Sequence, residues 1–480
     1  MKVLTKQVNM WINNQEVHSG DFYEIKDPGR HTDIVANVAK GTIENADHAV
    51  RAAHEAYLSW REMSVSERIQ KVLTAIEQLE QSMPELCPLA SREHGGLLSE
   101  AQTDFGYGVG GTQATAGIAE AYLAPQVFEN ESAIVEVHKK PRGVFIAIVP
   151  WNYPVSITMM KLAPGLISGN TAVVKPSPNS PAALTMALQR MAKVLPPGVI
   201  NVVNGDGDVA KVLTTHPLVT KISFTGGTET AKHVMAAAAS SIKKLTLELG
   251  GNDAAIILDD VNANRIMPDL VKGIFSRAGQ ICFAVKRVYV PQTIYRTFSN
   301  TLCEYVNEIK VGHGLDERST MGAINNQAQY QLVKNLIDQS KRSNATVFEL
   351  GKKVQPEEWD NGYYILPTVV RDIEHTADLS CNEQFGPVIP LIPYQSVEQA
   401  IEMANDSMYG LGSSVWSSDV DRAAEVARQV EAGFTFVNGH SIDKIDIRMP
   451  FGGVKQSGMG REFTEFGISE YIEPHAIRIR

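Results

Sequence analysis

The sequence predicts an α/β protein built on two doubly wound, parallel sheets. Three observations lead there. The chain has 480 residues, 44% of them hydrophobic, which is too much apolar material for one core and suits two or three domains. Its apolar runs are short and nearly continuous, as in GVFIAIV at 143–149, and so suit strands buried on both faces. These runs alternate with stretches of helical periodicity, the pattern of a parallel sheet covered by helices.

The elements follow in order. Residues 46–60 place Ala49, Val50, Ala53, Ala56 and Tyr57 at helical spacing. Residues 66–82 do the same with Ile69, Val72, Leu73, Ile76 and Leu79, behind Ser66 as a predicted N-cap. The strand 143–149 opens a series: TAVVK (171–175), a helix over 180–194, VINVVNG (199–205) and a short helix over 208–214. KISFTGG (221–227), a helix ending near 240, and KKLTLELGG (243–251) complete it. A second series begins at AAIILDD (254–260). It has predicted strands near 287–290, 412–417 and 434–438, and helices near 262–277, 292–308, 326–342, 396–407 and 420–432. The closing EPHAIRIR alternates like an exposed strand, an open edge that invites a partner subunit. No repeat of 20–50 residues and no low-complexity linker interrupts the chain.

Composition narrows the function classes. The net charge is −10 and no dense Lys/Arg block appears, so no nucleic-acid partner is expected. The four cysteines, Cys87, Cys282, Cys303 and Cys381, form no C-x-x-C pair and have no histidine at zinc-ligand spacing. Reduced thiols and no metal site are expected. MKVLTKQVNMWINNQ has no apolar signal region, and Lys161 and Pro164 break the most apolar stretch. These features predict no membrane association and a cytoplasmic protein.

Several short segments can carry chemistry. GQICFAV (279–285) sets Cys282 between a Gly-Gln turn and an apolar run, where a thiol is either a nucleophile or a small buried hydrophobe. PWNYP (150–154) ends a strand, and the Asn152 amide there can donate to an oxyanion or bond its own turn. ELGG (248–251) puts Glu248 at another strand end, as a general base or a salt-bridged surface group. VVKPSP (173–178) places Lys175 where ligands of open α/β sheets bind; a solvated lysine is the plainer reading. In FTGGTETAK (224–232), Gly226, Gly227 and Thr228 open a helix whose N-terminus suits a phosphate, although the third glycine of G-x-G-x-x-G is absent. EQFGPV (383–388) and PFGGVKQSGMGRE (450–462) complete the set, the latter without Walker spacing.

In this order, PWNYP, KPSP, FTGGTET, ELGG, GQIC, EQFGPV and PFGGVKQSGMGRE resemble the aldehyde dehydrogenase superfamily, and EHGGLLSEA at 93–101 resembles the family's Glu-x-Gly helix. The resemblance spans residues 150–462. It implies two Rossmann-like α/β domains plus a small β oligomerisation flap. The dinucleotide-binding domain would cover 1–121 and 142–250, the catalytic domain 251–450, and the flap 122–141 with 451–480. By the same resemblance Cys282 is the nucleophile, Glu248 the general base, and Asn152 an oxyanion donor beside the Cys282 backbone N–H. Lys175 and Glu383 would hold the two riboses of NAD or NADP, Phe385 would pack near the nicotinamide ribose, and Trp151 would line the groove. Pro150, Ser177, Leu249, Gly226, Gly227 and Thr228 fall on the family's cofactor-contacting positions. Cys87, Cys303 and Cys381 match nothing and read as packing residues. A homodimer built through the flap, often doubled to a tetramer, is the family precedent.

The chain departs from that pattern in places that bear on specificity. Many members have Ser at Gly227 and Gly at Ala231, and most NAD-preferring members have Glu at Pro178. Pro178 neither accepts from a ribose 2′-OH nor repels a 2′-phosphate, so use of NADP is expected alongside NAD. Met159, Met160, Ile281 and Phe283 flank the family's substrate tunnel, and relatives that oxidise succinate semialdehyde carry Arg at Met160. An apolar aliphatic or aromatic aldehyde is therefore expected, oxidised to its acid. His440 lies near the tunnel mouth by resemblance but reads as structural. A CoA-acylating relative, or a silent binding protein on this scaffold, are the rivals; Glu248 argues against the first, and Cys282, Glu248 and Asn152 together argue against the second.

Overall fold

Alternation along one strand explains the layering of the first sheet. In the computed structural model, which describes residues 6–480, Val144 and Ile146 pack into one core and Phe145 and Ala147 into another. Successive side chains of a strand point to opposite faces, so an all-apolar strand needs a helical layer on each side. Helices Ile43–Trp60, Gly207–Thr215 and Thr228–Ala239 supply the first layer. Helices Val65–His94, Leu98–Leu123, Pro154–Ile167 and Ala182–Ala192 supply the second.

This sheet has eight strands in the order Gly458–Met459, Lys244–Glu248, Val219–Thr225, Val144–Ile148, Thr171–Lys175, Ile200–Val202, Met10–Ile12, Gln15–Val17. The five inner strands from Lys244–Glu248 to Ile200–Val202 run parallel. The chain leaves Val144–Ile148 to one side for Thr171–Lys175 and returns on the other side at Val219–Thr225. That reversal is the topological switch point, where open α/β sheets bind ligands beyond the strands' carboxyl ends. PWNYP emerges there, between Lys175 and Thr225.

A second sheet has the order Thr346–Glu349, Thr368–Arg371, Val388–Tyr394, Val285–Pro291, Asp253–Ile257, Gly412–Trp416, Phe434–Val437. It is parallel except for the antiparallel edge strand Thr346–Glu349. A third, antiparallel sheet joins Gln126–Asn130, Ala133–Pro141 and the closing strand Ile472–Ile479, so the alternating C-terminal segment pairs along Ala133–Pro141. Among the described residues no helix is long and apolar enough to cross a membrane. Of the N-terminal segment read above, residues 1–5 lie outside the described residues.

Two local expectations need correction. The N-cap is Ser64 rather than Ser66: its hydroxyl accepts from the Glu67 backbone and Glu67 returns the bond, a capping box that starts the helix earlier. The same helix continues through Pro84 and Pro88 to His94, beyond residue 82. Packing against helices Leu98–Leu123 and Ala182–Ala192 outweighs the lost backbone donors.

Candidate active site

Cys282 follows a tight reversal. Helix Ala263–Phe275 stops, and Arg277, Ala278 and Gly279 take positive φ values of 56°, 53° and 70° in succession. Left-handed backbone costs a non-glycine residue roughly 1–2 kcal/mol, so the turn must be held from outside. Buried Gln280 holds it: Nε2 donates to the carbonyls of Arg277 (2.9 Å) and Ala323 (3.2 Å), and Oε1 accepts from the Asn325 N–H. A side chain at Gly279 would meet the Gly386 carbonyl at 2.4 Å, which explains the glycine. Beyond the turn, the Lys286 ammonium donates to the carbonyls of Ile281 (2.9 Å) and Cys282 (2.6 Å).

Asn152, Glu248 and Cys282 meet on one cavity, whose wall also carries Lys161 and Glu462. Asn152 is buried, and its Nδ2 donates to the Gln280 carbonyl at 3.0 Å. Glu248 ends strand Lys244–Glu248, and both its oxygens are buried without a hydrogen-bond partner among the described residues. Burial holds its pKa well above the usual carboxylate range; Glu462 adds to this and Lys161 opposes it. Burial likewise pushes the Cys282 thiol up to about 12, opposed by Lys286 and reinforced by Glu248. The remaining wall is largely apolar, with Ile157, Met160, Ile281, Phe283, Phe451 and Phe463.

Met159 does not line this cavity. It packs into the core that takes Phe145 and Ala147, with a Gly108 Cβ position 3.2 Å from its Cγ. Neighbouring helix positions point about 100° apart, and the cavity takes the face of Ser156, Ile157, Met160 and Lys161. His440 is also away from the cavity: it is buried behind the wall, its ring nitrogens 2.8 Å from Ser414 Oγ and 2.6 Å from the Phe283 carbonyl. Cys87 and Cys303 pack against the two large cores, but Cys381 is exposed, on a short helix in a polar segment.

Trp151, Lys175, Gly226 and Leu249 end or follow parallel strands of the first sheet, on its carboxyl side. Trp151 is half-buried, its ring edge-to-face with Phe385 at 5.5 Å, and Pro150 precedes it. Lys175 is buried at its strand end; among the described residues its ammonium donates only to the Pro176 carbonyl at 3.3 Å, and burial lowers its pKa to about 8. Ser177 is half-buried and Pro178 exposed. Gly226 is half-buried, and Gly227 caps helix Thr228–Ala239 without a side-chain bond to its N–H groups, with no atom within 4 Å of a Cβ built there. Glu383 folds over Gly250, accepts from the Gly251 N–H at 3.0 Å and lies 3.7 Å from Lys286 Nζ. The Leu249 N–H donates to the Ser457 carbonyl.

Sequence comparison places this geometry. The profile described as the aldehyde dehydrogenase family matches residues 11–477. The chain belongs to the aldehyde dehydrogenase family. A Staphylococcus epidermidis protein that carries the aldehyde dehydrogenase name is 34% identical over 483 residues, covering 99% of both chains. The crystal structure of Staphylococcus aureus betaine aldehyde dehydrogenase in complex with NAD+ superposes with a TM-score of 0.94 at 30% identity, over 98% of this chain and 94% of that one. The structure of an Escherichia coli NADP dependent enzyme does so with 0.94 at 30% identity, over 99% and 98%.

Within this aldehyde dehydrogenase, sequence reasoning passed over the supports of the site. Lys161 served only as a break in an apolar stretch, yet its Nζ pairs with Glu462 Oε1 at 2.8 Å on the cavity wall. A lone lysine in an apolar helix signals a buried partner. Gly452 is needed because a Cβ there would lie 2.7 Å from Glu248 Oε1. Arg277, Gln280 and Lys286 act through bonds to main-chain carbonyls, which leave no pattern in sequence.

Proposed function

We propose that this protein oxidises apolar aliphatic or aromatic aldehydes to carboxylic acids with NAD or NADP. The observation that carries the reading is the meeting of Cys282, Glu248 and Asn152 on one cavity whose other charged wall groups, Lys161 and Glu462, are paired with each other. Cys282 loses its proton and its sulfur adds to the carbonyl carbon; the displaced π pair becomes an oxyanion. The Asn152 amide and the Cys282 backbone N–H stabilise that oxyanion, each such donor being worth about 2.7–4 kcal/mol of barrier. The nicotinamide, when bound, supplies the acceptor for the hydride. The oxyanion's pair re-forms the carbonyl as the aldehyde C–H bond breaks and its hydrogen leaves as hydride, so the carbon remains on Cys282 as a thioester. Glu248 takes a proton from water, the oxygen adds to the thioester carbon, and the thiolate leaves with the acid released. A separate base is needed because the sulfur is then occupied.

The carboxyl ends of the first sheet are where we place the dinucleotide. Lys175 is a buried cation with one weak partner, and the open N-terminus at Gly227 and Thr228 offers free donors of the kind that bind phosphate. Pro150, Trp151, Ser177, Leu249 and Phe385 would line its site, Lys175 and Glu383 would take the riboses, and Gly226, Gly227 and Thr228 the pyrophosphate. We assign 1–121 and 142–250 to nucleotide binding, 251–450 to catalysis, and 122–141 with 451–480 to assembly as a homodimer or homotetramer. Exposed Val127, Phe128, Ile477 and Ile479 on the third sheet support the last assignment.

A panel of hexanal, benzaldehyde and succinate semialdehyde, run with each cofactor and with and without CoA, tests the reading. Acid formed without CoA, fastest from the uncharged aldehydes, is the expected result. Acyl-CoA as product, or no turnover, contradicts it.

A further inference from the structure

The turn that carries Cys282 also grips the turn that carries Asn152. Arg277 is buried, its Nη2 donates to the Asn152 carbonyl, and its guanidinium lies over the Tyr153 ring with Cζ 5.1 Å from the centroid. Its backbone N–H donates to Glu100 Oε1 at 2.6 Å, and its Nη1 is 3.8 Å from Glu100 Oε2. Burial raises the Asp104 pKa, and the Arg277 charge is among the groups that oppose the rise. Asp104 in turn accepts from Val155 N, Ser156 N and Ser156 Oγ, and so caps the helix that begins at Pro154. At the other end, the Asn152 amide donates to the Gln280 carbonyl, and Gln280 is itself bonded to the Arg277 carbonyl. Asn152 is thus held by its main chain at Arg277 and by its side chain at Gln280.

Among the described residues Arg277 Nε and Nη1 have no hydrogen-bond partner, Nη1 only approaching Glu100. Burying unused donors of a charged group is unfavourable, and an apolar side chain would fill the same space more cheaply. What the guanidinium adds is a charged donor on the Asn152 carbonyl and a flat face against Tyr153. We propose that Arg277 is a positioning residue for carbonyl addition: by holding the Asn152 main chain it fixes the oxyanion amide relative to Cys282. The inference rests on the catalytic reading of Cys282 and Asn152 given above.

Two reactions of the full-length protein, neither needing nucleotide, separate this role from a general loss of structure. Iodoacetamide alkylates Cys282 by displacing iodide at a saturated carbon, with no oxyanion. p-Nitrophenyl acetate acylates it through one: sulfur adds to the ester carbonyl, p-nitrophenolate leaves and an acetyl thioester remains. Arg277→Met is expected to slow the p-nitrophenolate burst by about 10–100-fold while alkylation stays within about 2-fold. Arg277→Lys should recover part of the burst rate. In an Asn152→Ala background the further loss from Arg277→Met should fall below about 3-fold, because residues acting through one group are not additive. Equal slowing of both reactions, or fully additive losses, overturns the proposal. Should Arg277→Met fail to fold, Arg277→Lys decides: a slower burst at unchanged alkylation supports the proposal, and a wild-type burst or parallel slowing overturns it. Cys282→Ser, expected to lose the burst while exposed Cys381 is still alkylated, tests the underlying reading separately, with alkylation throughout read by mass spectrometry of the peptide that carries residue 282.

Discussion

Lys161 and Glu462 form a 2.8 Å ion pair on the wall of the cavity that holds Glu248, with both side chains 1% exposed. Removing one partner of such a pair strands the other charge. Lys161→Met should therefore lower the unfolding free energy by about 3–5 kcal/mol, and Lys161→Met with Glu462→Gln should recover much of it. Urea unfolding of the three proteins checks this.

The same pair sets a pH dependence. Burial raises the Glu248 pKa, and Lys161 opposes the rise. Glu248 acts as a base only when ionised, so thioester hydrolysis should increase with pH through that raised pKa. Loss of Lys161 should push the limb to higher pH. Rates of acid release against pH for wild type and Lys161→Met measure the displacement; a limb that stays put or moves down contradicts the assignment.

On the proposed reading, the described residues of the cavity wall disfavour a charged substrate. Met160 faces the cavity among apolar neighbours, with no arginine or lysine placed to meet a distal carboxylate except Lys161, which Glu462 already engages. Met160→Arg should lower kcat/KM for benzaldehyde by about 10-fold or more and raise it for succinate semialdehyde. Steady-state kinetics with both aldehydes give the answer.

Cofactor preference should turn on Pro178, which is exposed in the segment that follows Lys175. Pro178→Glu adds a carboxylate that accepts from a ribose 2′-OH and repels a 2′-phosphate. The ratio of kcat/KM for NADP to that for NAD should fall by about 10-fold or more. An unchanged ratio would remove Pro178 from the account.

Much of the fold could be read because its signals are local. GVFIAIV and TAVVK are apolar throughout because the strands face a core on both sides, and they lie side by side in the sheet. The helix Leu98–Leu123 escaped notice because its glycines, Gly106, Gly108, Gly110, Gly111 and Gly117, blur the apolar periodicity. The small face is used at Gly108, where Met159 and Val155 close in. Met159 and Met160 could not be told apart until the helix had an orientation. The residues now placed around Cys282 came from motif order; Arg277 could not, since its role depends on a main-chain carbonyl more than a hundred residues away in sequence.

Trapping the acyl group on Glu248→Gln tests the central claim most directly. With Cys282 able to add to the aldehyde but no base to activate water, benzaldehyde and NAD should give one burst of nicotinamide reduction per active site. Peptide mass spectrometry should then find a benzoyl group on Cys282. Continued wild-type turnover, or an acyl group on any other residue, would contradict the account.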